Sequence, residues 1–282
     1  MEARTPVQIL EYTSDTGVAK VKRGKLAQLI LGFLAGVYIA FASEGSNMAA
    51  YNLFADPQTY GLGRVLAGAV FGTGLMLVLL AGGELFTGNT LIIVGVLDKR
   101  IQAREMLTNW VIVYAGNFLG SVLIAAMMVQ AGQFNNVGGL LGGVTLKIAV
   151  GKVSMPFHSA LFLGVMCNWL VCLAVWVSYA AKDVAGKLLS VFFIICLFIT
   201  SGFEHSVANM YYIPAGIFAK ANPMWAAASG LTAEQLASLN WGTFLLNNLV
   251  PVTIGNIIGG SVMVGVLYWL SLRQPKQNNP AP

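Results

Sequence analysis

The chain reads Gly83-Glu-Leu-Phe-Thr-Gly-Asn89 inside one long apolar segment and Ser201-Gly-Phe-Glu-His-Ser-Val-Ala-Asn209 inside another. In each stretch a glutamate is followed five residues later by an asparagine. Glycines and short polar residues in the middle of an apolar helix predict that the helix breaks there. Backbone groups freed by a break survive at membrane depth only when they are buried in protein or line a watery cavity. The two stretches therefore predict interrupted helices that face a pathway through the membrane.

The composition is that of an integral membrane protein. Of 282 residues, 57% are hydrophobic and 10% are charged, against roughly 25% charged in a soluble domain. A membrane-spanning helix needs about 20 predominantly apolar residues. Six apolar segments are predicted to span, and they cover residues 26–41, 65–97, 110–130, 160–181, 188–218 and 244–272. We expect one all-α transmembrane domain over residues 26–273, with its second and fifth helices broken.

The basic residues indicate how the chain is oriented. With a cytoplasmic N-terminus, the outer side holds only four of the 16 lysines and arginines, namely Arg64, Lys147, Lys152 and Lys220. The positive-inside rule therefore explains the net charge of +5 without nucleic acid as a partner. We expect a multi-pass protein of the cytoplasmic (inner) membrane, with residues 1–25 and the tail 274–282 in the cytoplasm. The N-terminal segment also fits a short amphipathic helix at the membrane surface.

The chain contains an internal repeat. Asn117 in the third span and Asn256 in the sixth lie in matching Gly-Asn motifs at a constant offset of 139 residues (109 to 248 and 117 to 256). The two breaks match as well, with Glu84 corresponding to Glu204. Many transporters are built from two related halves with the permeation site at their interface. Because three spans per half is an odd number, the halves must insert in opposite orientations, which predicts an inverted 3+3 repeat.

Three ionisable residues in the breaks are candidates for function. His205 is the one side chain at that depth that ordinarily titrates near neutral pH, and an ionisable residue inside the membrane is a functional candidate. The alternative is a structural histidine bonded to a backbone carbonyl. Glu84 and Glu204 are candidates for proton carriers or ion ligands, but we expect them to be structural, each capping the free N–H groups of the half-helix that follows. The N-termini of these half-helices would favour an anion.

Other polar residues carry weaker signals. Lys152 precedes the fourth span on the outer side, where it is either a snorkelling lysine or an electrostatic attraction for anions. Asn168 lies in mid-span, where an unpaired amide is costly, and Asn117 is expected to make interhelical hydrogen bonds. The three cysteines lie in apolar spans and no metal-ligand spacing or catalytic cluster occurs. We therefore expect no metal, no cofactor and no enzymatic activity.

These residues together resemble the formate/nitrite transporter family, from about residue 32 to residue 268. The resemblance rests on four motifs, which are Gly83-Glu-Leu-Phe-Thr-Gly88, Asn168-Trp-Leu-Val-Cys-Leu173, the 201–209 stretch, and Pro251-Val-Thr-Ile-Gly-Asn-Ile-Ile-Gly-Gly260. It implies an aquaporin-like fold with one pore per subunit in a homopentamer, and cytoplasmic termini.

The resemblance also implies roles for individual residues. By motif, the central histidine of the family corresponds to His205, its mobile-loop threonine to Thr87, and its vestibule lysine to Lys152. Its pore asparagines look like Asn168 and Asn256. Its apolar constrictions look like Phe71, Leu75, Leu85, Phe86, Val171 and Phe198.

The implied function is a channel for small monovalent anions of weak acids, with formate favoured and nitrite and hydrosulfide as alternatives. Because desolvation raises the pKa of a weak acid, an anion drawn in by Lys152 would take up a proton near His205 and cross the apolar rings as the neutral acid. A water or glycerol channel is the alternative from another class, since an inverted repeat alone permits it. The paired Asn-Pro-Ala motifs usual in that class are missing from the spans.

Overall fold

The structure is a computed structural model that describes residues 3–273, so the predicted tail 274–282 lies outside the described residues. Within that range every regular element is helical. In chain order the helices are α1 (Pro6–Lys22), α2 (Lys25–Ala55), α3 (Tyr60–Gly82), α4 (Phe86–Leu97), α5 (Ala103–Gln130), α6 (Asn136–Val153), α7 (Phe157–Ala180), α8 (Val184–Thr200), α9 (Ser206–Ala219), α10 (Pro223–Ser229), α11 (Ala233–Ser238) and α12 (Trp241–Leu272).

Five of these helices, α2, α3, α5, α7 and α12, are long and apolar enough to cross a membrane, and α4 and α8 are shorter apolar helices. The first predicted span, residues 26–41, was too short, because α2 continues to Ala55. Its second half carries Glu44, Ser46 and Asn47, which lower the hydropathy there. All three side chains are buried against other helices, so the helix continues through a protein interior that a hydropathy pattern does not reveal.

Both breaks occur where the sequence predicted them. Helix α3 ends at Gly82 and α4 begins at Phe86, while α8 ends at Thr200 and α9 begins at Ser206. Gly82 (φ +92°) and Gly202 (φ +77°) adopt the left-handed conformation that favours glycine. Each break thus turns the chain out of one helix and into the next.

The extended residues after the turns are held by main-chain hydrogen bonds to neighbouring helices. Glu84 N donates to the Leu31 carbonyl of α2 over 3.0 Å, and Glu204 N donates to the Leu163 carbonyl of α7 over 3.3 Å. The two breaks are therefore bound at corresponding points to α2 and α7.

Close helix packing positions the breaks. Helix α2 packs on α3 and α5, and α7 packs on α8 and α12. A Cβ at Gly116 of α5 would lie 2.6 Å from the Leu29 carbonyl oxygen, and one at Gly164 of α7 would lie 2.8 Å from that of Val252. Because carbon cannot approach oxygen so closely, only glycine permits these helix crossings.

Helices α1 and α6 pack on the two half-helices that follow the breaks. Helix α1 precedes α2 and packs on α4, and α6 precedes α7 and packs on α9. The expected N-terminal amphipathic helix is present as α1, with Ile9 and Leu10 buried against the core. Sequence analysis did not identify α6, because its glycines and lysines weaken the apolar signal.

Candidate permeation pathway

The first break is held by a buried carboxylate. Glu84, fully buried, accepts hydrogen bonds from Arg23 Nη1 (2.8 Å) and Asn89 Nδ2 (2.6 Å). Asn89 Nδ2 also donates to Asn109 Oδ1 (2.9 Å), and Lys20 Nζ donates to Asn89 Oδ1 (2.5 Å). Burial lowers the pKa of Lys20, and the nearby Glu84 carboxylate opposes that shift. The network places two cations of the α1 region beside one buried carboxylate.

The second break repeats this arrangement with one cation. Glu204 accepts from Lys152 Nζ (2.7 Å), Asn209 Nδ2 (2.7 Å) and Asn248 Nδ2 (3.3 Å). Asn209 Nδ2 also donates to Asn248 Oδ1 (2.7 Å). Lys152 belongs to α6, and its counterpart Lys20 belongs to α1, at a constant offset of 132 residues (20 to 152 and 32 to 164). The correspondence between the two breaks therefore includes a lysine from the helix that precedes each of α2 and α7.

Asn117 of α5 binds the backbone of the first break. Its Oδ1 accepts from Phe86 N (2.9 Å), and its Nδ2 donates to the carbonyls of Gly32 (2.7 Å) and Glu84 (2.9 Å). The interhelical hydrogen bonding predicted for Asn117 is thus present, and it includes the first N–H of α4.

Asn256 of α12 does the same at the second break. Its Oδ1 accepts from Ser206 N (2.9 Å), and its Nδ2 donates to the carbonyls of Gly164 (2.8 Å) and Glu204 (3.0 Å). Both amide hydrogens are therefore committed to backbone carbonyls. Asn256 supports the break and has no donor left for a solute.

The backbone caps expected of Glu84 and Glu204 were assigned to the wrong side chains. In the described part of the chain, both carboxylates accept from side-chain nitrogens, and the first N–H of each half-helix goes to Asn117 or Asn256. A carboxylate at this depth needs a cation, and the neutral amide suffices for a backbone N–H. Glu84 and Glu204 still lie at the helix breaks, where they join α1 or α6 to the half-helix.

The two half-helices meet at a contact between Thr87 and His205. Thr87 Oγ1 lies 3.0 Å from His205 Nε2, and both residues are buried. Ala208 N donates to His205 Nδ1 over 3.0 Å, so the ring caps α9. Nδ1 is therefore the unprotonated nitrogen of a neutral ring, and Nε2 donates to Thr87 Oγ1. The Thr87 hydroxyl then has its own hydrogen free to donate.

Asn168 holds Thr87 in place. Its Nδ2 lies within hydrogen-bond distance of the Thr87 carbonyl (3.2 Å), Thr90 Oγ1 (3.2 Å) and the Asn256 carbonyl (2.7 Å). The residue is fully buried. Its amide thus connects α4, the half-helix that carries Thr87, to α12.

A cavity of about 370 Å³ lies on the α6 side of this contact, and we call it the Lys152 vestibule. Its charged and aromatic wall includes Arg64, Lys147, Lys152, Glu204, His205, Tyr212 and Phe198. Three cationic side chains therefore face one carboxylate. Such an excess of positive charge attracts anions.

A second cavity of about 330 Å³ lies on the α1 side, and we call it the Lys20 vestibule. Its wall includes Lys20, Arg23, Leu75, Leu85, Val175 and Tyr179. Cationic side chains thus line both cavities. Sequence analysis had predicted a cation only for the Lys152 vestibule, namely Lys152 itself.

Apolar side chains separate the two vestibules. Phe198, at the Lys152 vestibule, packs edge-on against Phe71 with ring centroids 5.6 Å apart, and it lies 6.0 Å from the His205 ring. Leu75, one turn after Phe71 on α3, and Leu85 line the Lys20 vestibule. The four apolar side chains are almost fully buried, as is Val171 on α7.

Phe86 lies elsewhere. Its ring packs against Tyr114 (centroids 4.7 Å apart) and Trp110 (5.9 Å) of α5, and it lines an apolar groove that includes neither vestibule. This packing does not support the constriction role implied for Phe86. Phe86 is the first residue of α4 and Leu85 is the extended residue before it, so the two side chains leave the backbone in different directions, which the motif alone does not indicate.

Sequence analysis missed Lys20, Arg23 and Arg64 as pathway residues. Lys20 and Arg23 were counted only as cytoplasmic charges, although the offset that relates Gly32 to Gly164 also relates Lys20 to Lys152 and was available as a signal. Arg64 donates to the Ile199 carbonyl at the end of α8, which no pattern in the sequence indicates. Among residues 3–273, no cluster of side chains could hold a metal ion.

Comparison with known proteins identifies a family of transporters. The model of the family described as formate/nitrite transporter matches residues 7–270. The chain belongs to the formate/nitrite transporter family. Its all-α membrane fold and its membership of a transporter family rather than an enzyme family agree with what the sequence predicted.

Similar proteins cover nearly the whole chain. The formate channel FocA of Haemophilus influenzae is 36% identical over 94% of this chain and 93% of its own length, and a probable formate transporter of Methanothermobacter thermautotrophicus is 40% identical over 94% and 96%. A solved structure of a pentameric formate channel with formate bound is 37% identical, with a TM-score of 0.78, over 88% of this chain and 97% of the other. With its apolar helices, this makes the chain a multi-pass membrane protein.

Proposed function

We propose that this chain forms a channel of the inner membrane that conducts formate. The observation that carries the proposal is the junction between two cation-lined vestibules, where Thr87 contacts His205 between buried apolar side chains. Such a junction admits a small solute with a hydrogen-bond acceptor and resists a fully charged ion. Relatives named as formate channels support formate as that solute.

The proposed architecture is an inverted 3+3 repeat in an aquaporin-like arrangement, assembled as a homopentamer. Hydrogen bonds at matching positions in both halves support the repeat, and a pentameric relative supports the assembly. If the N-terminus is cytoplasmic, 12 of the 16 lysines and arginines lie on the cytoplasmic side of the membrane. This distribution supports a topology in which both termini are cytoplasmic. The Lys152 vestibule then faces outward and the Lys20 vestibule faces the cytoplasm.

Transport begins with attraction of the anion into the Lys152 vestibule. At the junction the free hydrogen of the Thr87 hydroxyl donates to a formate oxygen, while His205 Nε2 supports the Thr87 oxygen from behind. Among Phe71, Leu75 and Phe198 the desolvated anion takes up a proton, because a low dielectric raises the pKa of a weak acid. We place Asn168 and Asn256 as supports of Thr87 and of the second break, with Leu85 and Val171 in the apolar barrier.

Transfer of a proton from His205 itself would need one rearrangement. The neutral ring carries its proton on Nε2, so donation to the solute requires Nδ1 to take up a proton and release Ala208 N. Water in the vestibule supplies a proton without that cost. Proton coupling in this proposal therefore proceeds through vestibule water, with His205 as the support of Thr87.

The test is competitive uptake into proteoliposomes. Labelled formate should enter vesicles that contain the purified protein, and unlabelled formate should compete better than nitrite, hydrosulfide or lactate. Water flux in the same vesicles should equal that of protein-free vesicles. Stronger competition by nitrite or hydrosulfide would change the assigned substrate, and rapid water flux with no formate uptake would overturn the channel assignment in favour of a neutral-solute channel.

A further inference from the structure

One buried carboxyl in the membrane domain has no part in the pathway described above. Glu44 lies in the second half of α2, and its side chain is only 5% exposed. The Tyr211 hydroxyl of α9 donates to its Oε2. Its Oε1 has no hydrogen-bond partner among the described residues. This carboxyl is thus half satisfied in a region where polar groups are normally paired.

Glu44 differs from the two carboxylates at the breaks. Glu84 is paired with Arg23 and Glu204 with Lys152. In the described part of the chain, Glu44 forms no ion pair, and its one donor is the neutral Tyr211 hydroxyl. An unpaired carboxylate is expensive to bury, and such a group neutralises instead. The structure therefore favours Glu44 with a bound proton.

Glu44 precedes, by one helical turn, a residue of the Lys152 vestibule wall. Asn47, one turn after Glu44 on the same helix, lines that vestibule together with Ser46. Asn47 is 2% exposed, and its Nδ2 also has no hydrogen-bond partner among the described residues. Two unsatisfied polar groups, on Glu44 and Asn47, thus lie one turn apart on one side of α2, and Asn47 is at the vestibule wall.

We propose that Glu44 is a proton-binding site at the wall of the Lys152 vestibule, whose loss of a proton at alkaline pH repels the permeating anion. The proposal rests on the proposed function and extends it. When Glu44 is neutral, the vestibule keeps its cationic excess. When Glu44 is ionised, an uncompensated negative charge stands beside Asn47 and opposes anion binding.

The other charges around the site belong to the helices that pack on α2. Helix α5 carries Arg104 and Glu105 at the opposite end, beside Lys25 of α2, and Tyr114, which bonds to Thr253. The groups nearer to Glu44 are Arg64 of α3, Lys147 and Lys152 of α6, Glu204 and His205 of the second break, and Tyr211 and Tyr212 of α9. Lys152 is already paired with Glu204, so ionised Glu44 would have no dedicated cation.

The first experiment measures the exchange of labelled formate across proteoliposomes with equal pH on both sides, from about pH 5 to about pH 9. Glu44→Gln resembles the protonated carboxyl in shape and charge. The ratio of exchange by this variant to exchange by the wild type should be close to one at acidic pH and rise about fourfold at alkaline pH, the effect of one charge about 10 Å away at an effective dielectric near 40. Glu234→Gln, which removes an exposed carboxylate of α11, is the matched control and should give a flat ratio.

A flat ratio for Glu44→Gln would overturn the proposal and leave Glu44 as an anchor between α2 and α9. Failure of the wild type to exchange formate at any pH would overturn the proposed function instead. The two failures are therefore distinguishable.

A second measurement does not depend on transport. Infrared difference spectra of the purified protein should contain a carbonyl band from a protonated carboxyl, which disappears as the pH is raised and is missing in Glu44→Gln. Tyr211→Phe removes the donor that favours the ionised form, so the band should persist to more alkaline pH. If Glu44→Gln does not assemble, Tyr211→Phe still tests the site. An unchanged infrared titration in Tyr211→Phe would overturn the proposal.

Discussion

The two helix breaks share the same supporting hydrogen bonds but differ in the residue that follows the glutamate. At both, a glutamate binds an asparagine five residues later, and an amide from α5 or α12 binds the first N–H of the half-helix. The residue after the glutamate differs, since Leu85 lines the Lys20 vestibule and His205 caps α9 and contacts Thr87. The residues that hold the breaks are thus the same at both, and the residue that follows the glutamate differs.

The cations around the breaks differ as well. Arg23 pairs with Glu84 while Lys20 binds Asn89, so removal of Lys20 leaves the carboxylate paired. Lys152 is the cation paired with Glu204. In the proposed function, Lys152 therefore has two roles, since it attracts anions and also neutralises a buried carboxylate.

The largest effect should follow from removal of the two supporting amides, those of Asn117 and Asn256. Asn117→Leu and Asn256→Leu should each remove three hydrogen bonds and leave two groups unpaired, the first N–H of the half-helix and the carbonyl of Glu84 or Glu204, while the Gly32 and Gly164 carbonyls keep their helical partners. At about 1–3 kcal/mol for each unsatisfied group, we expect a loss of roughly 2–6 kcal/mol and little assembled protein. Thermal unfolding and size-exclusion chromatography in detergent measure this. Tolerance of one variant but not the other would contradict an equivalent supporting role.

A smaller effect should follow from His205→Asn, which separates the two roles of the histidine. Asparagine is a good N-cap and can still accept from Ala208 N, so assembly and thermal stability should stay near those of the wild type. The support of Thr87 by Nε2 is lost, and formate flux should fall about tenfold with a changed pH dependence, the effect of one hydrogen bond of about 1.4 kcal/mol. Formate flux across a pH series in liposomes measures this. Flux that matches the wild type at every pH would remove His205 from the pathway.

The smallest effects concern the lysines of the two vestibules. In inverted membrane vesicles, Lys20→Gln should lower initial formate uptake about threefold at low salt, because the lysine attracts anions on its own side and Glu84 keeps its ion pair with Arg23. In right-side-out vesicles, Lys152→Gln should lower uptake by at least as much, because it also leaves the buried Glu204 without its cation. High salt should reduce both effects. Lys182→Gln, which removes an exposed cation between α7 and α8, is the control. The reverse dependence on vesicle orientation would contradict the proposed topology.

Much of the fold was predictable from local pattern. Apolar segments and the Glu and Asn residues of the breaks indicated the membrane helices and their interruptions, because both signals lie within short stretches of sequence. The C-terminal end of α2 was not predictable in this way. Its polar residues, such as Glu44 and Asn47, lie against other helices, and burial by a distant part of the chain leaves no local mark.

The candidate site was predicted as a set of residues and not as an arrangement. His205, Thr87 and Lys152 were identified by motif, but the motif did not distinguish Leu85, at a vestibule, from Phe86, packed on α5. The partner of each polar group was also hidden, since a carboxylate and an amide both accept hydrogen bonds.

The sequence by itself determined that this protein is a helical membrane protein with two matching helix breaks, because hydropathy and repeats depend only on residue order. Only the tertiary structure decided what each polar group binds. It placed Lys20 and Arg23 at a second vestibule, assigned the backbone caps to Asn117 and Asn256, and gave Glu44 no cation among residues 3–273. The energy of a buried polar group depends on the partners within about 3 Å, and these come from residues far away in the chain.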